Sequence, residues 1–124
     1  MVVEDNELNM KLVRDLIKIA GYRMLEACDA EYGIPLIREQ RPDLVLMDIQ
    51  LPGMDGLSAT KILKEDSNLK HIPIVALTSY AMEGDKEKAL EAGCAGYITK
   101  PIDTRNFLKT LSQYIKDNDH HEKS

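Results

Sequence analysis

Short apolar runs rich in β-formers alternate with amphipathic stretches along the whole chain, and this alternation constrains the fold more than any other feature. The runs are Met1-Val2-Val3, Tyr22-Arg23-Met24-Leu25-Glu26-Ala27, Leu44-Val45-Leu46-Met47, Ile74-Val75-Ala76-Leu77 and Gly96-Tyr97-Ile98-Thr99. Runs this compact, with apolar neighbours on both sides, suit strands covered on both faces. Between them lie helical patterns. Leu8, Leu12, Leu16 and Ile19 share one predicted face from Asn6 to Ala20, and Gly21 supplies a left-handed stop. Leu57 to Glu65 and the charge-rich Ala81 to Ala92 read as two further helices, the second ending at Gly93. Asp103 is the expected cap of a last helix carrying Phe107, Leu108, Leu111 and Ile115. Pro35, about two turns after the cap Asp29 and close to Gly33, predicts a second helix that starts late or kinks. A repeated β-α pattern of this kind predicts a doubly wound α/β domain, a parallel sheet with helices on both faces. Asp117 to Ser124 is polar and expected to fray.

Composition narrows the function. The 124 residues suit one domain, and 16 Lys plus Arg against 21 Asp plus Glu give a net charge of −5. An acidic surface repels phosphate backbones, which argues against nucleic acid as a direct partner. With 44% hydrophobic and 30% charged residues the chain can build one ordinary core. Its apolar runs fall far below the roughly 18 residues of a membrane span. No leader-like segment opens it, so secretion is not indicated. Cys28 and Cys94 lie far apart without CxxC spacing, and the expectation is buried free thiols in a reducing cytosol.

In sheets of this class ligands bind beyond the carboxyl ends of the strands. After the first strand come Glu4 and Asp5; after the third, Asp48; after the fourth, Thr78 and Ser79; after the fifth, Lys100 and Pro101. The second, ending in Ala27-Cys28-Asp29, offers less. If the first and third strands are neighbours, about 4.8 Å apart, then Glu4, Asp5 and Asp48 crowd together. Two like charges 4 Å apart repel by roughly 4 kcal/mol at an effective dielectric of 20. Protonation or a bound cation relieves this, and hard carboxylate oxygens suit Mg²⁺. Taken singly, Asp5 or Asn6 reads as a helix cap and Asp48 as a turn former. Taken together at neighbouring strand ends, they do not.

Four stretches, Val2-Val3-Glu4-Asp5-Asn6, Asp43 to Gly56, Ala76-Leu77-Thr78-Ser79 and Tyr97-Ile98-Thr99-Lys100-Pro101, resemble the receiver domain of bacterial two-component response regulators in order and spacing. The resemblance covers nearly the whole chain. Glu4 to Leu12 and Met47 to Pro52 are especially similar to stand-alone receivers of the DivK type, which regulate cell division and polarity. It implies a five-stranded sheet of order 2-1-3-4-5 (flavodoxin-like, CheY-like), a receiver domain over residues 1–117 and a polar tail over 118–124. It also implies that Asp48 accepts the phosphoryl group as a carboxylate nucleophile. Mg²⁺ would be held by Asp5, Asp48 and the backbone carbonyl of Gln50, with Glu4 acting through water, offsetting charge on the transferring group. Lys100 would reach the phosphoryl oxygens as a point charge, aimed inward by a cis bond before Pro101. Its place at a strand end before proline sets it apart from a solvated surface lysine. Thr78 would donate its hydroxyl to a phosphoryl oxygen, and small Ser79 would leave room beside the acceptor. Thr78 and Tyr97 would form the switch, with the fourth helix, fifth strand and fifth helix as the responding surface. Gly53 and Gly56 fit a tight loop before the third helix, and Gln50 and Tyr80 are expected to tune dephosphorylation.

Of the three histidines, His71 lies in a loop and His120 and His121 in the polar tail, none in a helical phosphohistidine context. The implied donor is therefore a separate histidine kinase or histidine phosphotransfer domain, and the implied output a protein effector. The implied protein is a cytoplasmic signalling phosphoacceptor, monomeric or dimeric on phosphorylation, with self-phosphorylation and autodephosphorylation chemistry rather than enzymatic turnover. Output is expected by protein–protein contact, since no effector domain follows the fifth helix. Competing readings fail on particular residues. A dinucleotide or nucleoside triphosphate binder needs a glycine-rich first turn, where this chain has Glu4-Asp5-Asn6-Glu7. A haloacid-dehalogenase-like phosphohydrolase needs an acid where this chain has Gln50. A receiver acting only as a passive binding module would not need the complete acid, hydroxyl and lysine set. Two features depart from the family: Pro35, and a first strand of only Met1-Val2-Val3, from which a trimmed or partial chain and lowered stability are expected.

Overall fold

The computed structural model describes residues 1–51, 53–78, 83–100 and 102–123, and side chains within these except those of 83–85 and 116–123. In chain order the elements are β1 (Val2–Val3), α1 (Glu7–Ala20), β2 (Glu26–Ala27), α2 (Ala30–Gln40) and β3 (Val45–Asp48), followed by α3 (Gly56–Glu65), β4 (Ile74–Thr78), α4 (Glu83–Ala92), β5 (Gly96–Thr99) and α5 (Thr104–Lys123). The five strands form one parallel sheet of order β2-β1-β3-β4-β5. The expected doubly wound topology is therefore observed, with the order reversing between β1 and β3.

Side chains alternate across each strand, and the core divides accordingly. Val3, Val45, Met47, Ile74 and Ala76 face one layer with residues of α2, α3 and α4, including Ile34, Ile37, Ala59, Leu63 and Ala89. Val2, Leu46, Val75 and Leu77 face the other, against Met10, Val13 and Ile17 of α1 and Phe107 and Leu111 of α5. No helix among the described residues is long and apolar enough to cross a membrane.

Five local expectations are corrected. The buried face of α1 is Met10, Val13, Leu16 and Ile17, whereas Leu8 and Ile19 are 80% and 77% exposed. The helix carries two apolar stripes that meet at Leu16, and the sheet takes the one spaced as Met10, Val13 and Ile17. The second strand is two residues rather than six, because β1 offers only Val2 and Val3 as partners for Glu26 and Ala27. Helix α2 does not start late: Asp29 caps it by accepting from the Tyr32 N–H at 2.8 Å, and Pro35 lies inside it. Burial of Ala30, Ile34 and Ile37, with Gly33 seated close to Val3 and Ala27, holds the helix despite the proline. Cys28, just beyond edge strand β2, is exposed, and only Cys94 is a buried thiol. Helix α5 continues to Lys123, past the point where fraying is predicted.

Candidate functional site

Register builds the site. Val3 pairs with Met47, so the next residues along the two strands, Glu4 and Asp48, stand side by side at the sheet's carboxyl edge. Both are buried, at 1% and 3% exposure, while Asp5 beside them is exposed. Glu4, Asp5 and Asp48 each place one carboxylate oxygen within 4.8 Å of the others. Local backbone fixes two of them. The Asn6 N–H donates to Glu4 Oε1 at 3.2 Å, and the Gln50 N–H donates to Asp48 Oδ1 at 2.9 Å. Asn6 in turn caps α1, accepting from the N–H groups of Leu8 and Asn9.

Lys100 enters from the end of β5. Its N–H donates to the Thr78 carbonyl at 2.7 Å, which ties it to the tip of β4. Its Nζ donates to Asp48 Oδ2 at 2.9 Å. The same Nζ is 2.9 Å from Glu4 Oε2. That second contact is an ion pair lacking hydrogen-bond alignment, so the buried Oε2 is left without a hydrogen bond. Burial pushes the Glu4 carboxyl above its usual range, Asp48 adds to the rise and Lys100 opposes it. Burial alone would lower the Lys100 ammonium, but the two carboxylates of Glu4 and Asp48, each 2.9 Å from it, together outweigh it and hold the lysine above its ordinary value.

One ammonium against three carboxylates leaves the cluster anionic. An orphaned buried oxygen, hard donors and one exposed acid suit a small divalent cation that takes oxygen ligands and keeps positions open to solvent. The residues fit such an ion.

Of the other expected residues, Thr78 is buried at the end of β4, paired in register with Thr99. Tyr97 is half-buried on β5. Gln50 is exposed two residues after Asp48. Ser79, Tyr80 and Pro101 lie outside the described residues, as do the side chains of His120 and His121. Gly56 is required: a Cβ there would stand 2.1 Å from the Asp48 carbonyl oxygen, and its N–H donates to Ile49 O at 3.0 Å to close the loop after β3.

Two contacts escape sequence reasoning. Lys86 of α4 holds its Nζ 4.9 Å from the centroid of the Tyr97 ring. Glu31 of α2 accepts from the Met54 N–H at 2.8 Å across 23 positions. Neither spacing carries a motif. A cavity of about 420 Å³, lined in part by Met1, Tyr22, Arg41 and Leu111, contains no member of the acidic cluster.

The comparisons agree with this geometry. The profile described as response regulator receiver domain matches residues 1–112. The polar-differentiation response regulator DivK of Brucella anthropi is 51% identical over 117 residues, covering 94% of this chain and 95% of the relative. DivK of Brucella abortus is 50% identical over the same shares. Among solved structures, the receiver domain of a sensor histidine kinase from Pseudomonas aeruginosa, with a magnesium ion coordinated in its active-site cleft, superposes with a TM-score of 0.86. It is 35% identical, covering 93% of this chain and 94% of that one. The chemotaxis response regulator CheY4 of Vibrio cholerae gives 0.86 at 26% identity, covering 91% and 94%. A matched profile over most of the chain, a relative at half identity and an acidic strand edge of this form lead to one conclusion: the chain belongs to the response regulator receiver domains, the phosphoacceptor modules of two-component signalling.

Proposed function

We propose that Asp48 is the phosphoryl acceptor, with residues 1–117 forming the working receiver. The carrying observation is convergence: Asp48 lies beside Glu4, and its Oδ2 is 2.9 Å from the Nζ of Lys100. The donor is a phosphohistidine on a histidine kinase or histidine phosphotransfer domain. An Asp48 carboxylate oxygen forms the bond to phosphorus as the phosphorus–nitrogen bond breaks and the electron pair leaves with the imidazole.

Asp5, Asp48 and the Gln50 backbone carbonyl are assigned to hold Mg²⁺, with Glu4 acting through water. When bound, Mg²⁺ supplies positive charge against the phosphoryl oxygens. Lys100 then transfers its grip from the carboxylates to a phosphoryl oxygen, and Thr78 donates its hydroxyl to another. Ser79 and Pro101 are assigned to shape that pocket. Tyr97 turns inward as Thr78 moves, which alters the α4-β5-α5 surface offered to a protein effector. We assign the site of action to the cytoplasm, and the output to polar differentiation as in the DivK relatives.

Intact mass spectrometry after incubation with acetyl phosphate and Mg²⁺ tests the reading. One added phosphoryl group is expected on the wild-type chain and none on Asp48→Ala. A wild-type chain without an adduct, or an Asp48→Ala chain that still gains one, overturns it.

A further inference from the structure

The geometry points to Glu31 as a positioning residue that latches the loop between β3 and α3 and thereby sets how well the acidic site holds its cation. This rests on the site reading above, since the loop carries Gln50, whose N–H holds Asp48 Oδ1 and whose carbonyl is the assigned ligand.

The loop is fastened at three described points. At its base the Gly56 N–H donates to Ile49 O, and the Ile49 N–H donates to Leu77 O, both at 3.0 Å. On its inner side Leu51 is buried in the core layer of α2 and α3. On its outer side Glu31, in the first turn of α2, accepts from the Met54 N–H at 2.8 Å. Gly53 makes that last contact possible. Its φ is +73°, and a Cβ there would meet Glu31 Oε1 at 2.7 Å, so a bare backbone lets the carboxylate close onto the turn. The base bonds set where the loop begins and ends, but the outer half gains its hold from a different helix. Without the Met54 bond Gln50 is held only by its N–H bond to Asp48 and by buried Leu51 beside it, and a ligand carbonyl less firmly placed binds a demanding octahedral ion less well.

The test compares Glu31→Ala with Glu31→Gln, which keeps an acceptor oxygen and loses the charge. In metal-free protein, amide exchange at Met54 should accelerate about tenfold in the alanine variant and stay near wild type in the glutamine variant, with unfolding midpoints alike. Calorimetric titration with Mg²⁺ should show affinity about fivefold weaker in Glu31→Ala, restored in Glu31→Gln. Equal losses in both variants would mean that remote charge acts rather than a latch, and would overturn the proposal. So would a Glu31→Ala chain with faster Met54 exchange and unchanged Mg²⁺ affinity. A wild-type chain that binds no Mg²⁺ overturns the site reading and this proposal with it, whereas normal wild-type binding with an indifferent Glu31→Ala overturns the latch alone.

Discussion

The Nζ of Lys100 lies 2.9 Å from Asp48 Oδ2, joining the residue just past β5 to the last residue of β3 across 52 positions of sequence. In the protein without metal, this lysine is the counter-charge of the buried carboxylates. It therefore competes with any cation for the same oxygens.

Lys100→Ala removes that competition. Mg²⁺ affinity is expected to tighten by about three- to tenfold, the scale of one pKa unit of electrostatic interaction. Coupling to the α4-β5-α5 surface is expected to vanish. Calorimetry with Mg²⁺ and amide chemical shifts with and without beryllofluoride check both halves. A variant whose shifts still move as in wild type would contradict the role assigned to Lys100.

Acidification reports on Glu4. Its folded-state pKa is raised above 4.5, so between 4.5 and the raised value the folded chain binds a proton that the unfolded chain does not. Stability from this group therefore rises as pH falls through that window and levels off below it. Mg²⁺ needs the carboxylate, so its affinity should fall over the same window. The lowered pKa values of Glu26 and Asp55 act in the opposite sense and at lower pH. Urea midpoints and Mg²⁺ titrations followed from neutral pH down to the ordinary carboxyl value of 4.5, with Glu4→Gln flattening both trends, measure it.

Gly56→Ala should be costly. The added methyl would meet backbone atoms, Asp48 O at 2.1 Å and Asp48 C at 2.8 Å, which cannot turn away as a side chain tip can. A loss of about 1–3 kcal/mol is expected in urea unfolding. Phosphorylation from acetyl phosphate should slow as well, since the strain falls on the backbone of Asp48, the proposed acceptor.

Pro35→Ala should stabilise the chain. Pro35 is exposed inside α2 and supplies no N–H to the Glu31 carbonyl four residues back. Helix propensity favours alanine by about 3 kcal/mol, offset by the roughly 0.4–1 kcal/mol that proline gains by restricting the unfolded chain. A net rise of about 2 kcal/mol in denaturant unfolding is expected.

The face of α1 can be checked by two substitutions. Leu8→Gln should change stability by less than about 0.5 kcal/mol, because Leu8 is 80% exposed. Val13→Ala, at a fully buried position, should cost about 2 kcal/mol. The reverse order would restore the leucine stripe as the packed face.

The strand-edge chemistry was legible because a parallel sheet leaves little choice: Glu4, Asp48 and Lys100 lie at strand ends, and strand ends converge. Cap residues were legible for the same local reason, since Asn6, Asp29 and Asp103 act on amides two or three positions away. The packed side of α1 was not, because Leu8 and Ile19 carry as much apolar surface as Met10 and Val13, and only the docked sheet chooses between them. The extent of β2 depends on what β1 offers, a property of another segment. Glu31 in a helical first turn looks like any solubilising acid until the fold brings Met54 to it.

Lys100 is moored through its amide to Thr78 and through its ammonium to Asp48 and Glu4, so three strand tips hang on a single residue. An incoming anion need not push anything over a distance. It has only to outbid two carboxylates for one cation, and the lysine so released is the residue whose amide is bonded to the tip of the fourth strand.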